Sequence, residues 1–226
     1  MRFGIKAGYV ERAVPEYVDD DNTGGFQPHV YDLAACLGRL AQSRRALAGN
    51  QTIIDIGCGK AVKLAGLNRS GFSPEFDIIG IDTGANLAVA RQSPFGTWFD
   101  VDLERVGPSI LSSYDVDGAV LICADVIEHL VDPTCLVKTL REWMRLAAVG
   151  LLSTPERVLC YGPEHNGPPP NPSHVREWTR VELVTYLTAS GLDVAFSGIT
   201  QTHAAHPETG AHQGCQTTLV VLAPVP

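Results

Sequence analysis

The amino-acid sequence predicts an α/β fold in which helices cover a mostly parallel sheet. Strand-like apolar runs alternate with helix-like segments along the chain, and this alternation is typical of parallel sheets with right-handed crossovers. The segment IIDIGCGKAVKL, residues 53–64, joins a β-branched apolar run to a helix-compatible segment through two glycines. A strand, a tight glycine turn and a helix in this order indicate the opening unit of a nucleotide-binding α/β domain.

Length and composition favour a single cytoplasmic domain. The 226 residues fit one domain, and a hydrophobic content of 45% is enough for a normal core. Neither an apolar run of about 18 residues nor a signal-peptide pattern is found, so we expect no membrane span and no secretion. The net charge of −8 argues against nonspecific nucleic-acid or membrane binding, although a local basic groove stays open. The six scattered cysteines have no C-x-x-C spacing, and several fall in apolar strand contexts, which predicts buried free thiols there.

The predicted strands rest on apolar runs and on the turn residues that bound them. The strand at 76–83 lies between Pro74 and Gly84, and the strand at 118–125 is apolar up to its last residue. The last two strands are predicted on either side of a polar segment that carries three histidines. The predicted strands are 51–57, 76–83, 96–101, 118–125, 149–154, 193–199 and 216–223.

The predicted helices rest on a period of 3.6 residues and on capping residues. Apolar residues recur at helical spacing from Leu136 to Ala147, which predicts an amphipathic core helix. Thr179 and Glu182 form a capping box, so another helix should begin there. The predicted helices are 28–47, 60–69, 85–92, 133–147 and 179–190.

Acidic residues at the carboxyl ends of the predicted strands indicate the type of ligand. Ligands of open α/β sheets bind at this edge. Asp55 would repel a pyrophosphate, and Val62 replaces the third glycine of a dinucleotide fingerprint, so Asp55 suits a cationic ligand without phosphate. Asp82 can accept hydrogen bonds from both ribose hydroxyls of an adenosine ligand, or it caps the following helix.

Two motifs resemble those of the class I S-adenosylmethionine (SAM) methyltransferases. Asp55, Gly57 and Gly59 match motif I, D-x-G-x-G-x-G, with Ala61 in place of its last glycine. The segment DVIEHL, residues 125–130, resembles the segment after strand four of ubiquinone-pathway O-methyltransferases and of small-RNA 2′-O-methyltransferases. The resemblance covers roughly 50–155. It implies a Rossmann-like seven-stranded sheet with the last strand antiparallel and helices on both faces.

The resemblance also implies SAM as the cofactor and S-adenosylhomocysteine (SAH) as the product. Asp102 with Leu103 resembles the pair at the adenine edge, and Asp100 is its competitor. Residues 1–48 are predicted to form a helical lid on a core of 49–226, as parts of one domain. From that lid, Tyr9, Tyr17, Gln27 and Tyr31 are candidates to face cofactor or substrate. The implied cofactor-binding residues are Asp55, Gly57, Cys58, Gly59, Asp82, Asp102, Leu103 and Cys123.

A second group of residues is a candidate for metal binding or catalysis. If a helix begins at Asp125, then Asp125, Glu128 and His129 share one helical face, and two carboxylates beside an imidazole favour a cation. Alternatively, Asp125 caps the helix and the other two shape the pocket. The segment SHVREWTR, 173–180, resembles the small-RNA enzymes and implies His174 as the fourth ligand. His165 is a substitute ligand, and His174 has the alternative role of bracing its loop.

The proline-rich stretch GPEHNGPPPNP, residues 162–172, cannot be a helix or a central strand. It follows the strand 149–154, so we expect the loop 162–174 to border the acceptor pocket and to be mobile without ligand. The continuation to Trp178 also resembles bacterial methyltransferases of sugars and cell-surface glycans. His203, His206 and His212 are expected to lie mostly in a solvated loop.

The predicted reaction is methylation of a hydroxyl group on a small molecule, sugar or glycan. Its proton is removed by His129 as general base, or a divalent cation lowers the pKa of the hydroxyl. Asp125 and Glu128 complete the candidate catalytic set. Two alternatives remain open, a small-RNA 2′-O-methyltransferase and a SAM-binding regulator without catalysis.

Overall fold

A computed structural model describes residues 2–16, 27–45, 51–69, 76–205 and 212–225. Seven strands form one sheet in the order β3-β2-β1-β4-β5-β7-β6. This arrangement confirms the predicted α/β fold class. The strands are β1 (Gln51–Ile56), β2 (Phe76–Asp82), β3 (Gly96–Asp100), β4 (Val120–Ala124), β5 (Val149–Pro155), β6 (Asp193–Ala205) and β7 (His212–Ala223).

The centre of the sheet is parallel and largely buried. β1 pairs with β2 and β4, and every residue of β4 is buried, as expected of a continuous apolar run covered on both faces. β7 runs antiparallel to both β5 and β6, which confirms the predicted orientation of the last strand. The carboxyl ends of β1, β2, β4 and β5 therefore lie along one edge of the sheet.

Helices cover the two faces of the sheet and enclose two separate cores. Because successive side chains of a strand point to opposite faces, Ile53 packs into one core and Ile54 into the other. Leu136, Leu140 and Trp143 bury the apolar face of the predicted amphipathic helix. The α-helices are α1 (Pro28–Arg45), α2 (Val62–Arg69), α3 (Gly84–Ala90), α4 (Ser113–Val116), α5 (Thr134–Trp143), α6 (Arg157–Tyr161) and α7 (Arg180–Ala189). No helix in the described part of the chain is both long and apolar enough to cross a membrane.

The predicted helical lid at 1–48 is only partly helical. α1 packs against the sheet, where Val30 and Ala34 join the core, so it is a layer of the fold. Residues 5–16 instead form neither helix nor strand and include a turn at 7–8 and a bend at 13–14. They run along the proline loop through hydrogen bonds from the backbone N–H groups of Val10, Arg12 and Glu16 to carbonyls at 166, 175 and 172. We call residues 5–16 the N-terminal strap.

The last two strands are longer than their apolar runs predict. β6 extends to Ala205 and β7 begins at His212, because the two strands pair with each other along their whole length. His203 and His212 consequently lie in strands, contrary to the predicted loop, and His206 lies outside the described residues. The short helices α4 and α6 have no periodic signal and were not predicted from the sequence.

The capping box that begins α7 offers a test of the fold. Thr179 accepts a hydrogen bond from the backbone N–H of Glu182, and the Glu182 carboxylate accepts one from the N–H of Thr179. Thr179→Ala should lower the free energy of unfolding by about 1 kcal/mol, measured by urea denaturation. Thr185→Ala, at an exposed position of the same helix, is the control. An equal effect of both substitutions would contradict the role of the cap.

Candidate cofactor and metal site

A cavity of about 340 Å³ opens at the carboxyl ends of β1, β2 and β4. Four predicted cofactor-binding residues, Gly57, Asp82, Asp102 and Leu103, belong to its wall. Asp125 and His129 line the side near β4. The remaining wall residues are Thr83, Gly84, Ala85, Asn86, Glu104, Val126 and Leu130.

The glycine turn after β1 has a backbone that only glycine tolerates well. Gly57 has a φ of 76° and donates from its N–H to the Ile81 carbonyl at 2.8 Å. A Cβ at Gly57 would overlap the side chain of Val126. Gly59 has a φ of 56°, and its N–H points to Asp82. The turn thus brings backbone close to the cavity and holds the acid on the next strand.

Asp82 is fixed by two backbone hydrogen bonds. One carboxylate oxygen accepts from the N–H of Gly59 at 2.7 Å, and the other accepts from the N–H of Thr83 at 2.7 Å. Burial raises the pKa of Asp82, and these two hydrogen bonds oppose the rise. The N-cap position of α3 is Thr83, so the alternative role of Asp82 as helix cap is wrong.

Asp55 is a buried acid with one unpaired oxygen. Its Oδ2 accepts a hydrogen bond from the hydroxyl of Tyr31 at 3.0 Å, whereas its Oδ1 is buried without a protein partner. Burial raises the pKa of Asp55 to about 7, although the positive charge of Lys63 opposes the rise. Buried carboxylates need a compensating partner, so Asp55 suits a cationic group of the ligand.

The remaining cofactor predictions divide into two groups. Asp102 lines the cavity, while Asp100 is exposed and bonds to Thr83 and Arg91, which favours Asp102 over its competitor. Cys58 and Cys123 are buried but not part of the cavity wall. Burial raises the pKa of both thiols, so neither is suited to act as a thiolate nucleophile.

The segment after β4 differs from the prediction. No α-helix begins at Asp125, which has a left-handed φ of 55°, and only a 3₁₀ turn follows at Ile127–His129. Asp125 therefore shares no helical face with Glu128 and His129. Its Oδ1 instead accepts hydrogen bonds from the Ser153 hydroxyl at 3.2 Å and from the Gln27 amide at 3.3 Å.

Glu128, His129 and His174 converge as predicted, although by a different route. One potential ligand atom from each residue lies within 4.8 Å of the others, and Asp125 is outside this group. Glu128 is fully buried. Its Oε2 accepts from the Thr154 hydroxyl at 2.9 Å, and its Oε1 is buried without a protein partner. Burial and the nearby Asp125 carboxylate raise the pKa of Glu128.

The two histidines have their Nδ1 atoms engaged by hydrogen-bond acceptors. His129 Nδ1 donates to the Ser173 carbonyl at 3.0 Å, and His174 Nδ1 donates to the Glu177 carboxylate at 2.6 Å. Their rings meet edge to face with centroids 4.7 Å apart. Burial and the neighbouring His174 lower the pKa of His129 to about 4, so this imidazole is neutral near pH 7. Neutral imidazoles oriented through one nitrogen are typical metal ligands.

The four N-terminal residues predicted to face cofactor or substrate differ in their surroundings. Gln27 and Tyr31 contact Asp125 and Asp55, as described above. Tyr9 lies away from the cavity wall, where its hydroxyl accepts from the backbone N–H of Glu177. Tyr17 lies outside the described residues.

The proline loop is held by the N-terminal strap rather than forming the cavity wall. The Arg12 guanidinium donates to the carbonyls of Pro169 and His174. His165 packs against Tyr161 and does not belong to the candidate metal group. The predicted mobility of the loop stays a prediction.

Sequence reasoning missed the residues that orient the predicted ligands. Glu177 and Ser173 hold the two histidines, and Thr154 holds Glu128. The spacing of Glu177, three residues after His174, does not by itself indicate their contact, because residues 174–177 are not helical. The contact between the Ser173 carbonyl and His129 depends on the path of the loop and has no sequence signal.

Sequence comparison finds related methyltransferases. No protein-family model matches the chain. The ubiquinone biosynthesis O-methyltransferase of Pseudomonas paraeruginosa is 27% identical over 140 residues, which cover 61% of this chain and 57% of that protein. Relatives of the same name match at 24–29% identity. The chain thus spans less than two thirds of the length of the first of these relatives.

Structural comparison finds the same fold in solved methyltransferases. Magnesium protoporphyrin IX methyltransferase from Synechocystis PCC 6803, solved with bound SAH, is 15% identical with a TM-score of 0.52, covering 86% of this chain and 83% of that chain. The methyltransferase domain of bacterial CtHen1-CN is 21% identical with a TM-score of 0.52, covering 87% and 98%. At these identities the likeness establishes the fold. Together with the sequence relatives, it confirms the predicted resemblance to class I SAM-dependent methyltransferases.

Two carboxylates at matched positions test the adenosine site. Asp82 and Asp100 are partners in the β2–β3 register, but only Asp82 lines the cavity. Asp82→Ala should weaken SAM binding by about 1–3 kcal/mol, because ribose hydroxyls would lose their acceptor. Asp100→Ala should leave SAM affinity unchanged. Calorimetric titration with equal affinities in both variants would reject the assignment of Asp82.

The ionisation of Asp55 should appear in the pH dependence of stability. Its pKa is higher in the folded protein than in the unfolded chain, so the folded state retains the proton longer. The contribution of Asp55 to the free energy of unfolding should therefore fall as the pH rises from about 4 to about 7. Asp55→Asn removes this effect, so the stability of the variant relative to wild type should increase across that window. The free energies of unfolding of variant and wild type are measured by urea denaturation. A difference between them that does not change with pH would contradict the raised pKa of Asp55.

Proposed function

We propose that this chain, which resembles class I SAM-dependent methyltransferases in sequence and fold, is an enzyme that methylates a hydroxyl oxygen. The proposed acceptor is a small molecule, a sugar or a glycan, and a divalent cation assists the reaction. One observation carries the proposal: His129 belongs both to the wall of the cavity and to the group with Glu128 and His174. A methyl donor in the cavity would therefore adjoin a site able to activate an oxygen.

The geometry of the cavity supports SAM as the methyl donor. The carboxylate of Asp82 suits the ribose hydroxyls, and Asp102 with Leu103 suits the adenine edge. Asp55 has an unpaired buried oxygen, which suits the ammonium group of a methionine moiety. None of these groups requires a phosphate. The Asp55 carboxylate would repel a pyrophosphate, so NAD should not bind.

The residues near His129 fit a divalent cation. The unpaired Oε1 of Glu128, together with two imidazoles, offers a two-histidine, one-carboxylate set of three protein ligands. Such a set leaves coordination positions for other molecules. Mixed carboxylate and imidazole ligands suit Mn, Fe, Co or Zn, and Mg is also compatible.

The chain itself must align donor and acceptor and exclude water. Methyl transfer forms an O–CH₃ bond as the S–CH₃ bond breaks, SAH leaves, and the acceptor hydroxyl loses its proton. When bound, a divalent cation would supply a Lewis acid that lowers the pKa of an acceptor hydroxyl. His129 is the alternative general base, but a pKa of about 4 makes it a weak base at neutral pH.

A small-RNA 2′-O-methyltransferase is the second candidate. It is favoured by the convergence of Glu128, His129 and His174, the residues whose motifs resemble that class. Asp125, in place of the glutamate of that class, does not join them. A net charge of −8 also argues against a nucleic-acid substrate. Methyl transfer assayed on phenols, nucleotide sugars and short RNAs distinguishes the acceptors, and absence of turnover on all three classes would favour a SAM-binding regulator.

Metal removal tests the proposed assistance. Chelation should abolish methyl transfer while SAM still binds, and Mn²⁺ or Co²⁺ should restore it. Glu128→Gln, His129→Ala and His174→Ala should each weaken Mn²⁺ binding because each removes one ligand.

Asp125→Asn is the matched control for the metal ligands, because Asp125 lies beside them but outside their group. This variant keeps all three ligands, so it should lose much less Mn²⁺ affinity in calorimetric titration than the three ligand variants. If activity survives chelation and His129→Ala alone is inactive, the metal proposal is wrong and His129 is a general base.

A further inference from the structure

We propose that Glu177 is a positioning residue that orients His174 for metal binding, an inference that rests on the proposed function. Glu177 is fully buried, and its Oε1 lies 2.6 Å from His174 Nδ1. A carboxylate accepts hydrogen bonds and a neutral imidazole has one N–H, so this contact assigns the proton of His174 to Nδ1. The Nε2 lone pair of His174 is then directed away from Glu177.

The other side of the His174 ring supports the same tautomer. Asn171 Oδ1 accepts from the backbone N–H of Ser173 at 2.9 Å, so its amide nitrogen faces His174 Nε2 at 3.0 Å. That amide nitrogen only donates, and Nε2 must therefore be the accepting nitrogen. A cation at Nε2 would take the place of the amide donor. Glu177 and Asn171 thus specify the same tautomer from opposite sides of the ring.

The backbone of Glu177 is anchored independently of its side chain. Its N–H donates to the Tyr9 hydroxyl at 3.1 Å, and its carbonyl accepts from the Arg157 guanidinium at 2.9 Å. The next residue, Trp178, is fully buried, and its backbone forms an isolated parallel β-bridge with Glu156. These contacts should keep the chain in position when the side chain is changed. Replacing the Glu177 carboxylate should therefore leave the fold of the loop unchanged.

Burial of Glu177 is costly unless the carboxylate has a specific role. Its Oε2 is buried without a protein partner, and the other donor to Oε1 is the Tyr161 hydroxyl at 3.3 Å. A buried carboxylate with such incomplete pairing is unfavourable for stability. Carboxylates that accept from the second nitrogen of a ligating histidine raise its basicity and fix its ring. Glu177 has this relation to His174.

The test measures Mn²⁺ and SAM affinities separately by calorimetry. Glu177→Ala should weaken Mn²⁺ binding by about 10- to 100-fold, the usual effect of removing such a partner. Glu177→Gln should restore most of the affinity, because its amide oxygen still accepts from Nδ1. Tyr161→Phe, which removes the other donor to the same oxygen, should change little. SAM affinity should be unchanged in all three variants.

A double-mutant cycle with His174→Ala makes the inference specific. If Glu177 acts through His174, adding Glu177→Ala to His174→Ala should weaken Mn²⁺ binding no further. The absorption spectrum of bound Co²⁺ should differ from the wild-type spectrum in Glu177→Ala and match it again in Glu177→Gln. General destabilisation would not produce this pattern. A further loss in the double variant, or wild-type affinity in both Glu177 variants, would overturn the inference while the metal site stands. A wild-type protein that binds no Mn²⁺ would overturn the proposed function as well.

Discussion

The burial of several carboxylates at one edge of the sheet is the constraint on which the site depends. Asp55 and Asp82 lie near the carboxyl ends of β1 and β2, Asp125 and Glu128 follow β4, and desolvation raises the pKa of all four. A buried charge is tolerated only when it is paired or hydrogen-bonded. Backbone N–H groups satisfy Asp82, whereas Asp55 and Glu128 each retain an unpaired buried oxygen. The molecule thus favours cationic ligands at two adjacent points.

The strand order explains why two kinds of site meet here. β1 and β4 are neighbours at the centre of the sheet, so the glycine turn after β1 faces the segment after β4. Gly57 lacks a Cβ where Val126 approaches, which allows this close contact. The proline loop after β5 then brings His174 to the same edge, and the N-terminal strap holds the loop through Arg12. Residues far apart in sequence therefore meet at one edge of the sheet.

The sequence predicted what local geometry determines and missed what tertiary contacts determine. The glycine turn, Asp82 and the capping box at Thr179 are encoded within a few residues, and the structure has them where expected. The helix at Asp125 was wrong, because the N–H of Asp125 bonds to the Ser153 carbonyl of the neighbouring strand and the backbone turns left-handed. The role of Glu177 could not be deduced without the position of the His174 ring. The extension of β6 and β7 depends on their mutual pairing, which their polar sequences do not signal.

A crystal structure of the protein with SAH and Mn²⁺ tests the central claim most directly. The account predicts that the Asp82 carboxylate binds the ribose hydroxyls. It also predicts one anomalous Mn peak within bonding distance of Glu128, His129 and His174, on the side of the cavity that His129 lines. SAH bound elsewhere, or a Mn ion whose protein ligands exclude these three residues, would contradict the account.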